Sequence, residues 1–421
     1  MRDCRGWQTS LAGASQPVKS NGMKSKVIVY VFVTIGLAVA GAAACTGETT
    51  REDSGQSVRF EKHTLTTDFI SEGVAVADVN NDGYTDIIAG ARWFEGPDWK
   101  SVHDVYHEDQ VFDGTTGYSK SFLNFTIDVD QDGWVDYIRV DFPGEQVWWY
   151  QNPGMEDRHW KQHVIAGAAS NESPAFVDID GDGREDILCG DPTTGEMVWY
   201  RCPTEKGDTT WIRYPISGRE MPGTDVFSHG LGFGDINGDG RGDVIVKQGW
   251  WEAPADPTRP DWVFHPAELG LDCAQMYVMD VNGDGYADVI SSSAHRYGIW
   301  WYEQGRDPAG KTTWKLREIN SDYSQTHAMS RVDLDGDGDL DLVSGMRYFA
   351  HQGDDPGESF PPTIFWLEFV AGEQPTWVLH IIDDDSGVGL NNVVEDVNGD
   401  GLPDIVVANK KGVFYFERVV R

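Results

Sequence analysis

Basic residues are scarce in this chain. Its 33 Lys and Arg face 69 Asp and Glu, a formal charge of −36 over 421 residues. That deficit excludes the charge-driven binding by which proteins hold nucleic acid, and it excludes adhesion to anionic membrane surfaces. Cysteine is scarce too. Only Cys189, Cys202 and Cys273 follow Cys45, so there is no disulfide framework. Cys189 and Cys202 flank one predicted hairpin, which leaves a single bridge and two buried thiols both open. The apolar run from Val27 to Ala40 is short for a membrane span. No phosphate loop, nucleophile elbow or Cys-x-x-Cys pair is present, which removes the chemistries those motifs carry.

What is present is repetition. A nine-residue pattern, Asp-x-(Asp/Asn)-x-Asp-Gly-x-x-Asp, occurs seven times. Its oxygen-bearing positions are Asp78, Asn80, Asp82 and Asp86; Asp128, Asp130, Asp132 and Asp136; Asp178, Asp180, Asp182 and Asp186; Asp235, Asn237, Asp239 and Asp243; Asp280, Asn282, Asp284 and Asp288; Asp333, Asp335, Asp337 and Asp341; and Asp396, Asn398, Asp400 and Asp404. Oxygen ligands at positions 1, 3, 5 and 9, with Gly at 6 for a sharp turn, suit a hard divalent cation. The expectation is about seven structural Ca²⁺ ions, each held with the affinity of extracellular modules, about 10⁻⁴ to 10⁻³ M. The loops supply 24 aspartates at these positions, so seven Ca²⁺ would bring −36 to −22. Much of the acidity is therefore metal-site chemistry.

The N-terminus reads as an export signal. Residues 1–22 form an upstream extension, and residues 23–44 a signal peptide that begins at the basic stretch Met23-Lys-Ser-Lys26. The small residues before Cys45 resemble a bacterial lipoprotein cleavage box, which would lipidate Cys45, although Ala42 stands where Leu is usual. Cleavage after Ala44 without lipidation fits the same residues. Residues 45–57 then form a polar tether. The expected location is the outer membrane or cell surface through a lipid anchor, otherwise the periplasm or medium.

Loop starts are separated by 50, 50, 57, 45, 53 and 63 residues, periods that indicate a propeller or an array. An apolar run precedes each loop, a short run such as Asp404-Ile-Val-Val407 follows it, then an aromatic run such as Val147-Trp-Trp-Tyr150, then a mixed run such as Trp377-Val-Leu-His-Ile-Ile382. Four short alternating runs per unit are the four strands of a propeller blade. The last unit lacks its fourth run, and a surplus one, Arg59 to Leu65, precedes the first loop. The predicted fold is all-β: a seven-bladed β-propeller over residues 58–421 with four-stranded blades, the last closed by the N-terminal strand. An open solenoid is the alternative.

On these residues the chain resembles the FG-GAP, or VCBS, repeat family of bacterial cell-surface proteins, and the loops are similar to the cation loops of integrin α-subunit propellers. The resemblance covers essentially 58–421. It implies the calcium loops and the fold, and is nearly silent on function, because such folds host binders and enzymes alike.

Hairpin geometry sorts the remaining candidates. Each loop joins first and second strands at one end, so residues before first strands and after second strands meet at the other. That face collects His229, His295, Tyr297, His327, Arg347, His351 and Lys410 as candidates for chemistry, and Arg92, Trp93, Lys247, Trp250, Arg296 and Tyr348 for ligand contact. Asp272 and Gln275 belong to the same face. His229 and His327 each lie six residues before a loop's first Asp, where other units have Glu72, Phe122, Glu172, Ala274 and Leu390. In so acidic a protein, a basic and aromatic face fits an acidic or polyhydroxylated ligand. The bland alternative is that polar loops pair among themselves.

His229, His295, His327 and His351 would supply nitrogen ligands for Zn²⁺ or Mn²⁺, but no local pair has the spacing of a metal motif, so a transition metal is not the leading expectation. The first functional expectation is a surface module binding carbohydrate or a surface protein. The alternative is a polysaccharide lyase or sugar dehydratase using the His, Tyr, Arg and Lys of this face, since some sugar-acting propeller enzymes look similar. The Trp pairs are explained mainly by packing between blades, with Trp93 and Trp250 nearest the face. Arg241-Gly-Asp243 spells an adhesion tripeptide, but its Asp is position 9 of a loop. The insertion Asp354 to Pro362 is expected to lie over the mouth of the site.

Overall fold

A computed structural model describes residues 58–107, 110–270, 273–372 and 374–420. The stretch expected to be a signal peptide, Cys45 and Asp272 lie outside them. No helix among the described residues is long and apolar enough to cross a membrane.

Alternating short runs form antiparallel strands, as the period-two pattern requires. Five sheets have four strands each: residues 75–104, 123–166, 170–215 and 329–383 as consecutive meanders, and a fifth built from 392–395, 404–409, 412–418 and the N-terminal strand Phe60–Thr66. In that fifth sheet Phe60 faces Arg418 and Thr64 faces Phe414, so the two ends of the described chain are zipped together. This pairing removes an exposed edge.

The remaining sheet corrects the expected architecture. Seven uniform four-stranded blades are not what the chain forms. Residues 231–324 build one eight-stranded sheet, in which the first strand Leu231–Gly234 pairs in parallel with the first strand Cys273–Met279. The cause is steric. A Cβ on Gly232 would sit 2.2 Å from the Met276 carbonyl oxygen, and one on Gly234 would sit 2.7 Å from Val278 Cβ. Glycine at both positions lets the two backbones close to hydrogen-bonding distance. The result is a propeller-like ring of five four-stranded sheets and one eight-stranded sheet.

The core lies between sheets. Ile88 and Trp93 pack with Tyr137 and Tyr150; Ile138 and Trp149 with Ile187 and Val198; Leu188 and Trp199 with Val244 and Trp251. The series continues around to Ile87 and Phe94 against Val406 and Tyr415, which joins the last sheet to the first. The chain therefore closes on itself rather than forming an open solenoid. The first strands line a central channel bounded by Val76, Phe125, Phe176, Phe233, Tyr277, Arg331 and Val394, with side chains contributed from every sheet.

Candidate functional site

At one end of the strands the seven acidic loops share one geometry. The first Asp of each accepts a hydrogen bond from the backbone N–H of the position-6 Gly, from 2.8 Å at Gly240 to 3.1 Å at Gly338. The ninth residue is buried, and its two oxygens accept backbone N–H groups from the loop and from the following strand, as Asp136 does from Val129 (3.0 Å) and Asn152 (2.7 Å). Positions 1, 3 and 9 offer oxygens within 4.8 Å of one another in three loops: Asp128, Asp130 and Asp136; Asp178, Asp180 and Asp186; Asp333, Asp335 and Asp341. Burial, aided by neighbouring carboxylates, pushes Asp136 up to about 8 and Asp186 and Asp341 to about 7. Clustered oxygens of this kind fit Ca²⁺, which when bound would neutralise the carboxylates and crosslink the hairpin. Two loops already have a guanidinium on their carboxylates: in the third, Arg201 lies 2.6 Å from Asp180 and 3.0 Å from Asp182, and in the fourth, Arg241 pairs with Asp239. Asp243 is fully buried, which removes the adhesion tripeptide.

The histidines divide into sets. Five lie on fourth strands, or on the equivalent N-terminal strand, directly opposite a third-strand aromatic. His103 stacks on Trp93, His163 on Trp149, His265 on Trp250, His380 on Trp366 and His63 on Tyr415, at centroid distances of 4.1 to 5.3 Å. Four of these rings also meet a Glu two residues beyond the aromatic: Glu95, Glu252, Glu368 and Glu417. This arrangement repeats around the ring and is structural. In it His103 stacks on one face of Trp93 and His265 on one face of Trp250. His107 and His159 form a separate pair, 6.1 Å apart.

The other four converge at the end opposite the acidic loops. His229 and His327 precede first strands, and His295 follows a second strand. His351 lies in a short 3₁₀ turn, Ala350–Gly353, where Phe349, His351 and Gln352 all take left-handed backbone conformations. His229 Nε2 lies 2.7 Å from His295 Nε2. Glu172 Oε2 lies 3.4 Å from both His229 Nε2 and His327 Nε2. Asp355, from the insertion, reaches His295 Nδ1 at 3.2 Å and His351 Nδ1 at 3.1 Å. The insertion thus reaches over the cluster. Burial lowers His327 to about 3, keeping it neutral, while the bond from Asp355 raises His351. Glu172 is held well below the ordinary range: its histidine neighbours outweigh the effect of burial.

A second layer surrounds this cluster. Arg347 is buried and pairs with Glu72 at 3.2 Å, and its guanidinium lies over Tyr118. Lys410 Nζ donates to the Phe349 carbonyl at 2.9 Å and sits 4.2 Å from the Tyr118 ring centroid; burial lowers its pKa. Tyr297 and Arg296 are exposed beside His295, and Tyr348 lies under Lys411. Arg92 pairs loosely with Asp68 at 4.0 Å. Lys247 lines a separate groove with Gln248, Pro266 and Glu268. Glu172, Tyr118 and Asp355 were not among the candidates. Glu172 carried a usable signal, since it shares the repeat position of His229 and His327. Cys189, Cys202 and Cys273 are buried, and Cys189 and Cys202 do not bridge each other; burial raises Cys189 to about 12 and Cys202 to about 11, which disfavours their thiolates.

Comparison with family models agrees with the loops. An FG-GAP-like repeat model matches residues 128–189 and 280–344, and an FG-GAP repeat model matches 72–97. These segments resemble FG-GAP repeats. A comparison with curated proteins finds no match. The FG-GAP-like matches span acidic loops and their flanking strands and stop short of the histidine cluster's insertion. They bear on the scaffold, an FG-GAP-like β-propeller module; Glu172, His295 and His327 fall inside the matched segments, while His229, His351 and Asp355 lie outside them.

Proposed function

We propose that this is an exported, calcium-stapled FG-GAP-type module that binds an acidic carbohydrate on the face opposite its acidic loops. The observation that carries the reading is the convergence of His229, His295, His327 and His351 from four separate segments of the chain. Four imidazoles and two carboxylates gathered at one place are the kind of convergent polar set that marks a site on a scaffold. Exposed Arg296, Tyr297 and His351 form the rim that a hydroxylated, anionic sugar would meet. The experiment is retention of the Ca²⁺-loaded protein on a panel of immobilised uronic-acid polysaccharides, repeated with His295→Ala. The reading requires retention on at least one glycan and its loss in the variant; no retention on any would refute it.

A second reading, β-elimination from a uronate, is favoured by Asp355, which orients both His295 and His351 as a carboxylate orients a general base. Against it, Arg347 is already committed to Glu72 and is not offered to a substrate carboxylate. Absorbance at about 235 nm, where unsaturated uronates absorb, separates the two readings during incubation with the same polysaccharides. A rise that His295→Ala abolishes would move the assignment to a lyase.

A further inference from the structure

The four groups at the heart of this face have the composition and spacing of a metal site distinct from the acidic loops. Glu172, His229, His295 and His327 each offer one ligand atom, and those atoms lie within 4.8 Å of one another. A tetrahedral Zn²⁺ with ligands at about 2.0–2.1 Å has edges of about 3.3 Å. Two edges here are 3.4 Å, from Glu172 Oε2 to His229 Nε2 and to His327 Nε2. The third measured edge, His229 Nε2 to His295 Nε2, is 2.7 Å and would open by about half an ångström around an ion.

Two further observations point to a ligand. His327 is fully buried, and neither of its ring nitrogens has a hydrogen-bond partner. A buried imidazole aimed at a carboxylate and two other imidazoles, yet bonded to none, is an arrangement that a metal ion resolves. His295 is also held from behind: its Nδ1 faces Asp355 Oδ2 at 3.2 Å. A carboxylate on the far nitrogen fixes the proton there, turns the Nε2 lone pair toward the other ligands and raises its basicity, which is how metal-bound histidines are supported.

We infer that Glu172, His229, His295 and His327 bind one borderline transition-metal ion, Zn²⁺ in the first instance. Three imidazoles and one carboxylate suit Zn²⁺ and disfavour Ca²⁺, which takes oxygen. Arg347, the nearby buried cation, is balanced by Glu72. His229 and His295 retain 11% and 15% side-chain exposure, which gives the ion a route in beside Asp355. The inference stands independently of the carbohydrate reading.

The test uses the whole exported protein in millimolar Ca²⁺, so that the acidic loops are filled. A chelator selective for transition metals strips the protein, and Zn²⁺ is then titrated against a chromophoric competitor. The expected result is about one equivalent bound in the presence of excess Ca²⁺, absent in His295→Ala and in His327→Ala, and weakened about 10–100-fold in Asp355→Asn, which removes only the outer support. Co²⁺ substitution of the wild-type protein should give the visible bands of a four-coordinate, nitrogen-ligated ion, a readout that needs no variant to fold. Absence of that equivalent and of those bands, or their survival in both histidine variants, would overturn the assignment.

Discussion

The two ends of these strands differ in kind. At the loop end the same contacts recur unit after unit: an Asp accepting from a Gly, and a buried Asp accepting from two backbone N–H groups. At the other end the units diverge. The position six residues before the loop is Glu, Phe, Glu, His, Ala, His and Leu in turn. The histidines follow the same division. Five repeat as cross-strand partners of an aromatic ring; four depart from the repeat and meet at one place. What repeats builds the scaffold, and what departs from the repeat gathers at the face to which we assign the chemistry.

The largest test of this contrast is calcium removal. At about ten times Kd each occupied loop contributes roughly 1.4 kcal/mol, so chelation should lower the thermal midpoint on the order of 10 °C. Scanning calorimetry with and without Ca²⁺ measures it, and an unchanged midpoint would deny the loops their structural role. Next is the buried pair of Arg347 and Glu72. Arg347→Met strands a carboxylate that is 0% exposed, and denaturant titration should show a loss of about 3–5 kcal/mol. Trp366→Ala removes a core ring shared between sheets, at about the same cost by the same method. The smallest effect belongs to the repeated histidines. His103→Ala should cost about 0.5–1.5 kcal/mol, the worth of its stack on Trp93, and leave glycan retention unchanged. Lost retention in that variant would break the division of histidines drawn here.

The sequence carried the local part of this account. A nine-residue code fixes each acidic loop because all its contacts fall within a few residues, and the missing last strand foretold the pairing of Phe60–Thr66 with Gly412–Arg418. The joined sheet was not legible. Gly232 and Gly234 are ordinary glycines in sequence, and their consequence appears only when Met276 and Val278 come alongside. The face of His229, His295, His327 and His351 followed from hairpin direction, but their convergence depends on how the whole ring closes. Asp355 lies in an insertion with no repeat position to compare. Trp93 and Trp250 were read as near the face because nothing local reveals that His103 and His265 lie opposite them.

The most direct test is a single variant measured two ways. His295 is partly exposed and belongs to the departing set, so, with both proteins compared in Ca²⁺ after transition metals are stripped, His295→Ala should shift the thermal midpoint by no more than about 2 °C while abolishing retention on the uronic-acid polysaccharide that holds the wild type. Full retention by a folded His295→Ala protein would contradict the claim that the converging histidines form the functional site.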